Sequence, residues 1–315
     1  MSGSNKSIGK LVFSILFLVL SLGGFYCVYN GVNPFSKEQV QEVIEPKKQS
    51  LSDYTFEDLS EVSKNVVKMK NQDDINNYLR ENFLLDIAYQ PTNELIHVET
   101  KDGRDLTFRF IGYNHDVDSD GNVIGLTFMC ANPCAMRYMN ENGSTEGSWK
   151  DSDLRAYLND EFINLLPEDL SSNIKTVVKT TNNANCKVNG LGDTSTTQDK
   201  LWLLSASEVC GQIKWYSSEQ TYGNIHNTSI DDIMNKEGSQ YEYFKTNGVT
   251  DTSDKHGVLS MTYADQPATW WYRSPHAYES DTVEGSFFYS VMDTGYPFGY
   301  FPPNTNQGVV FGFCI

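Results

Sequence analysis

The acids Asp116, Asp118 and Asp120, spaced by two and followed by Gly121, are the residues of this chain whose spacing most resembles a chemical site. Carboxylates at positions 1, 3 and 5 of a loop, with glycine at 6, are the pattern with which EF-hand loops hold calcium. The twelfth position is Thr127 instead of a bidentate Glu, and the flanking residues alternate like strands. Two readings follow. One is a hairpin whose Asp-Gly turn supplies the positive φ that such a turn requires. The other is the same hairpin with calcium as its one candidate cofactor, relieving the repulsion of three carboxylates.

A second group is aromatic. Rings crowd the chain from Trp270 to Phe301, and the Gly and Pro residues between Gly295 and Pro303 predict surface loops. A ring on such a loop stacks on the apolar face of a sugar, while amides and acids take its hydroxyls. Tyr278, Tyr296, Tyr300 and Asn304 are therefore the candidate ligand contacts, for a glycan, a peptide or a protein partner.

Catalytic constellations are missing from the pattern. His97, His115, His226, His256 and His276 make no pair at helical metal-binding spacing, and neither a Gly-x-Ser-x-Gly elbow nor a phosphate loop occurs. Cys130 and Cys134 have three residues between them, including Pro133, unlike a redox or zinc Cys-x2-Cys. A binding role without catalysis is the expectation. Apart from Cys27, the cysteines are odd in number, so one stays unpaired if the rest oxidise; Cys314 with Cys210 or Cys186 is the candidate bridge.

The elements that must carry these residues begin with an anchor. The run 11–29 has no charge, close to the ~20 residues a spanning helix needs. Lys6 and Lys10 precede it, whereas the lysines beyond it alternate with Glu38, Glu42 and Glu45, which puts residues 1–10 in the cytoplasm and the rest outside. Bulky Phe25 and Tyr26 fit an uncleaved anchor better than a signal peptide. Residues 30–52, with Pro34 and Pro46, read as a stalk. Across 53–90 the spacing of Leu59, Val62, Val66 and Met69, then of Ile75, Tyr78, Leu79 and Phe83, predicts two helices, the second capped by Asp73 or Asp74.

From residue 91 to 315 the pattern predicts one mixed module. Leu95 to Glu99, Leu106 to Phe110 and Val123 to Met129 read as strands. Trp149 to Phe162 reads as one amphipathic helix capped by Asp151 or Ser152, with Arg155 free to enter a salt bridge or stack on a ring. Ile174 to Thr181 predicts a strand, Asn182 to Gln198 a loop, and Leu201 to Leu204 a short buried strand. Ser205 or Ser207 then caps a turn with Glu208 in it. Lys and Arg total 24 against 41 Asp and Glu, a formal charge of -17 that repels phosphate backbones, so no nucleic acid is expected as a partner.

Three motifs in order carry a family resemblance: Trp149-x2-Ser-x-Leu-Arg155-x2-Leu-Asn159, the Asp199-Lys200 to Glu208 segment, and Trp270-Trp271-x-Arg273-Ser-Pro. The chain from about residue 95 to 315 resembles the domain of unknown function 6273, frequent in surface and secreted proteins of Gram-positive bacteria. More distantly it is similar to C-type-lectin-like modules of the formylglycine-generating-enzyme type. The resemblance implies an α+β fold, C-type-lectin-like, with short antiparallel sheets and two main helices, in which Trp149, Arg155, Asn159, Trp270, Trp271 and Arg273 are framework. Such relatives close on a Gly-Val-Arg-Pro-Ala type strand; here Gly308 to Ile315 lacks the Arg. The expected function is a membrane-anchored extracellular binding module acting through its carboxyl-terminal loops, or, in a rival reading, a scaffold subunit acting through 53–90.

Overall fold

The computed structural model describes residues 48–183, 194–214, 230–252, 256–276 and 286–315. The predicted anchor 11–29, residues 30–47 of the stalk, Tyr278 and Cys186 lie outside them. No helix among the described residues is long and apolar enough to cross a membrane. The architecture is α+β, with short antiparallel sheets and few, short helices.

The first sheet is built on a hairpin. Strands β1 (Leu95–Glu99), β2 (Asp105–Val117) and β3 (Val123–Cys130) pair antiparallel in sequence order. The β2–β3 turn closes through the Asp118 carboxylate, which accepts from the amides of Asp120 and Asn122, with Gly121 at φ +81. Two register shifts in β2 add residues before the turn, and past the second of them Asp116 faces inward and is buried.

The chain's end completes this sheet. Strand β14 (Phe311–Cys314) lies between β3 and β7 (Trp202–Leu203), giving the order β1-β2-β3-β14-β7. Helix α1 (Phe56–Lys68) starts at a Thr55–Asp58 capping box and buries Leu59, Val62 and Val66. It packs so closely on β3 that a Cβ at Gly125 would collide with the Ser63 carbonyl oxygen. The Ser63 hydroxyl donates to the carbonyl of Ile315. Residues 48–315 are thus one compact unit, which includes the segment 53–90. Helix α2 (Gln72–Glu81) is capped by Asn71, whose side chain accepts from the Asp73 amide; Asp73 and Asp74 fall inside its first turn.

The second sheet has five strands: β4 (Met136–Arg137), β10 (Trp270–Pro275), β11 (Phe288–Val291), β12 (Gly299–Phe301) and β13 (Gln307–Gly308). Their order is β12-β11-β10-β13-β4. Two ribbons stand apart from the sheets. One pairs β5 (Val177–Asn182) with β6 (Thr194–Asp199), the other β8 (Met261–Tyr263) with β9 (Gln266–Ala268). The end of the expected 182–198 loop is therefore a strand: its threonines suit a half-buried pleat, with Ser195, Thr197 and Asp199 on the inner face.

Residues 149–162 do not make one regular helix. Ser152 caps α3 (Asp153–Ala156), which passes into a π turn at Tyr157–Glu161 and a 3-10 turn at Phe162–Leu165. Helix α4 (Ala206–Cys210) opens with a capping box of Ser205 and Glu208. The described aromatic residues from Trp270 to Phe301 are mostly interior. Trp270, Trp271, Tyr272, Phe288, Tyr289 and Phe298 are buried, because β10 and β11 run through the middle of their sheet and both of their faces are covered. The bridge expected from Cys314 to Cys210 does not form: Cys130, Cys134, Cys210 and Cys314 are buried free thiols.

Candidate functional site

Two places gather polar side chains, one inside the protein and one on its surface. The inner one starts at the inward phase of β5, where Lys179 sits between Val177 and Thr181 and is buried with them. Its ammonium contacts Asp116, donates to Glu208 Oε1 at 3.0 Å and to the Tyr241 hydroxyl at 2.8 Å, and lies 4.2 Å from the Trp202 ring centroid. The Asp116 carboxylate also accepts from Thr127 Oγ1 at 2.7 Å and from the Tyr241 hydroxyl at 3.1 Å. His115 Nδ1, at 3.6 Å from Asp116, is beyond hydrogen-bond reach.

Glu208 links this pair to Arg273, whose guanidinium donates to both Glu208 oxygens, at 2.5 and 3.1 Å. The same guanidinium satisfies the carbonyls of Leu203, Thr180 and Glu237. Glu237 is held by the amide and side chain of Asn182 and by Ser274 Oγ at 2.5 Å.

Electrostatics follow from this pairing. Burial works against each charge, but Lys179 holds Asp116 well below the carboxylate range, and Arg273 with Lys179 holds Glu208 below it. The two acids in turn raise Lys179. For Glu237 burial wins over Arg273 and the hydrogen bonds, and the carboxyl is pushed up to about 7. Two cations thus face two carboxylates, and a third acid is poised near neutrality.

The acids of the hairpin are placed apart by this geometry. Asp116 is committed to Lys179 in the interior, Asp118 to its own turn, and Asp120 is exposed, so the three carboxylates do not converge. Among the described residues no group of three His, Cys, Asp or Glu is placed to hold a metal ion.

The motif residues interlock around another buried acid. Asp199 accepts from Trp149 Nε1 at 3.0 Å, Arg155 Nε at 2.6 Å and Thr197 Oγ1 at 2.6 Å. Asn159, carried by the π turn, donates to the Leu201 carbonyl and accepts from the amides of Lys200 and Leu201. Trp270 and Trp271 donate their indole N–H groups to the carbonyls of Leu259 and Arg137.

The surface place is a cleft of about 460 Å³ beside β4, lined by Met136, Arg137, Tyr138, Glu141, Asp153, Leu154 and Asn306. Its walls are fixed from behind. The Pro303 carbonyl accepts from the amides of Met139 and Asn140, Asn140 Oδ1 accepts from the Asp153 amide, and Asp153 Oδ2 accepts from the Glu141 amide. The Arg137 guanidinium lies 3.6 Å from the Tyr157 ring centroid, and Tyr138 is 41% exposed at the rim. A cation, two carboxylates, an amide and an exposed ring suit a ligand with hydroxyls or amides and one apolar face.

The predicted ligand residues are not brought together. Tyr300 is on edge strand β12, its ring packed on His276 and Phe287. Tyr296 is half-buried against the core. Asn304 lies over Gly143, in the loop that carries Glu141. Strands β12 and β4 are opposite edges of one sheet, so Tyr300 and the cleft are about 19 Å apart at ~4.8 Å per strand. The lining residues Arg137, Tyr138, Glu141, Asp153 and Asn306 carry no signal in the sequence. Their convergence depends on β4 pairing with β13, which leaves no local pattern. For Lys179 a signal exists: a lysine at an inward position of an alternating strand.

The model of the family described as "Domain of unknown function (DUF6273)" matches residues 125–296, more than half of the 315-residue chain. No curated protein and no solved structure matches the chain.

Proposed function

The chain belongs to the DUF6273 family, and we propose that it is a non-catalytic, lectin-like binding head, displayed outside a membrane by its apolar run 11–29, that takes a glycan or peptide in the cleft of Arg137. One observation supports this reading above others. The cleft combines a guanidinium, two carboxylates and an exposed tyrosine on walls already fixed by backbone hydrogen bonds, so a ligand would meet a preformed surface. Asn304, beside Gly143, flanks it from the sequence's own candidate set.

A glycan and cell-wall array probed with residues 48–315 tests this, with Arg137→Ala and Tyr138→Ala in parallel. A ligand retained by the parent and lost by both variants is the expected result. Retention that neither change touches would place the site elsewhere, with Tyr300→Ala as the next probe. A blank array would count against a glycan.

The scaffold reading has its own observation. An apolar groove between α1 and β3 leaves Val67 41% and Val123 38% exposed, with Lys64, Lys68 and Lys175 around it. Its occupant would be a protein segment with apolar and acidic side chains. Val67→Glu should abolish such capture and leave the array result unchanged.

A further inference from the structure

An amine and a carboxyl group in contact inside a protein, closed to water and bracketed by a second carboxylate, are the components of an amide bond. Lys179 and Asp116 meet this description. Each side chain is 3% exposed, and Glu208, 2% exposed, shares the same ammonium. We propose that Lys179 and Asp116 become joined within the folded chain by an amide bond between Nζ and Cγ, with Glu208 carrying the proton and one water leaving.

The surrounding groups fit each step. The ammonium first gives a proton to Asp116 Oδ1, with which it is in contact, leaving a neutral amine and a carboxylic acid. Burial favours this uncharged form, because it penalises both ions, whereas mutual attraction favours the ion pair. The neutral pair is therefore the minor, reactive form. The Nζ lone pair then attacks Cγ, and the carbonyl electrons move to Oδ2. That oxygen already accepts from Thr127 Oγ1 at 2.7 Å and from the Tyr241 hydroxyl at 3.1 Å, donors placed to hold the negative charge that develops there. Cys314 Sγ, at 3.4 Å, adds a weak third donor.

Glu208 completes the proton balance. Its Oε1 lies 3.0 Å from Nζ, and Arg273 keeps it in its ionised, accepting form. It takes the second proton from the attacking nitrogen and passes it to Oδ1, which leaves as water when the Oδ2 electrons reform the carbonyl. Of the three ammonium protons, two depart in the water and one remains on the amide nitrogen. No oxidant or cofactor enters. Holding both reactants in contact in one folded site replaces an intermolecular encounter, which is the condition under which such a condensation proceeds unaided.

The product would tie β2 to β5 across residues distant in sequence, in a unit whose four described cysteines are all free thiols. It would restrict the unfolded chain as a disulfide does, independently of redox conditions.

The full-length chain, purified and unfolded with reductant present, tests the bond by mass spectrometry. The expected intact mass is that of the sequence less one water. Trypsin should release residues 110–137 and 176–187 as a single branched peptide, with no cleavage after Lys179. Lys179→Arg and Glu208→Gln should each return the full mass and separate peptides. A parent protein of full sequence mass, cleaved after Lys179, would overturn the proposal, and this measurement needs no variant to fold. A linked Glu208→Gln variant would remove Glu208 from the mechanism.

Discussion

The inner network and the surface cleft use the same side-chain types to opposite ends. In the interior, every guanidinium and ammonium donor of Arg273 and Lys179 finds an acceptor within the protein, and the carboxylates of Glu208, Asp116 and Glu237 are likewise saturated. Nothing is left over for a ligand. In the cleft, Arg137 meets the face of Tyr157, while Glu141 and Asp153 are exposed, one Asp153 oxygen accepting from the Glu141 amide. Residual bonding capacity, and not charge itself, separates binding surface from framework.

Removing one buried partner puts this contrast to its hardest test. Arg273→Met would leave Glu208 with Lys179 and the Ser205 amide and would take a donor from each of three carbonyls. A broken buried pair costs about 3–5 kcal/mol, and urea unfolding should show a loss of that order. A loss no larger than that of an exposed ion pair would mean that water reaches the network, and interior and cleft would no longer differ in kind. If the Lys179–Asp116 bond forms with Glu208 as its proton carrier, the same variant, which removes the cation that keeps Glu208 ionised, should form less of it.

Glu237 gives the next largest effect and works through pH. Its pKa is raised from 4.5 to about 7 by burial. Between those values the folded protein holds a proton that the unfolded chain has released. The stability linked to this group is thus full below the unfolded value, falls as pH rises through the window, and is gone above the folded value. Glu237→Gln keeps the shape and removes the charge. The variant should be more stable than its parent at pH 8, by up to about 3 kcal/mol at ~1.4 kcal/mol per unit, and equal to it near pH 4. Asp116 and Glu208 are shifted downward and act only at the acid end, so they do not mask the window. Parallel melting curves at the two pH values decide it.

How much of the molecule is legible in the sequence depends on the range of the contact. Periodicity, caps and alternation are local, so α1, α4 and the β2–β3 hairpin can be read from the spacing of Leu59, Val62 and Val66, from Ser205 and from the Asp-Gly turn. The framework motifs are legible as motifs, but their partner is not: Asp199 joins Trp149 to Arg155 only once β6 is paired with β5. Asp116 misleads because its spacing suits a turn, whereas a register shift turns it inward. The aromatic end misleads through loop signals, since Gly and Pro around Gly295 say where the chain turns and not how much covers the rings before and after. The cleft is silent, because Arg137 and Asn306 share no local pattern.

A smaller effect probes how α1 joins the unit. Gly125→Ala would drive a methyl group into the Ser63 carbonyl oxygen and force the helix outward. Overpacking of this kind costs about 1–3 kcal/mol, which chemical denaturation would resolve. The strain should leave both the network and the cleft intact, since neither includes α1. Ligand capture in the groove between α1 and β3 should suffer instead.

The smallest stability effect belongs to the residue expected to matter most for binding. Arg137 is exposed, and its stacking on Tyr157 contributes about 0.5–1 kcal/mol by the usual worth of such contacts. Arg137→Ala should therefore shift unfolding by no more than that, while removing the only cation among the described residues of the cleft lining. A ligand that pairs with the guanidinium would lose at least tenfold in affinity, about 1.4 kcal/mol, by titration against the retained array hit. The two readouts must move apart: a variant that loses stability and affinity together would place Arg137 in the framework, and the boundary between the two regions would have to be redrawn through β4.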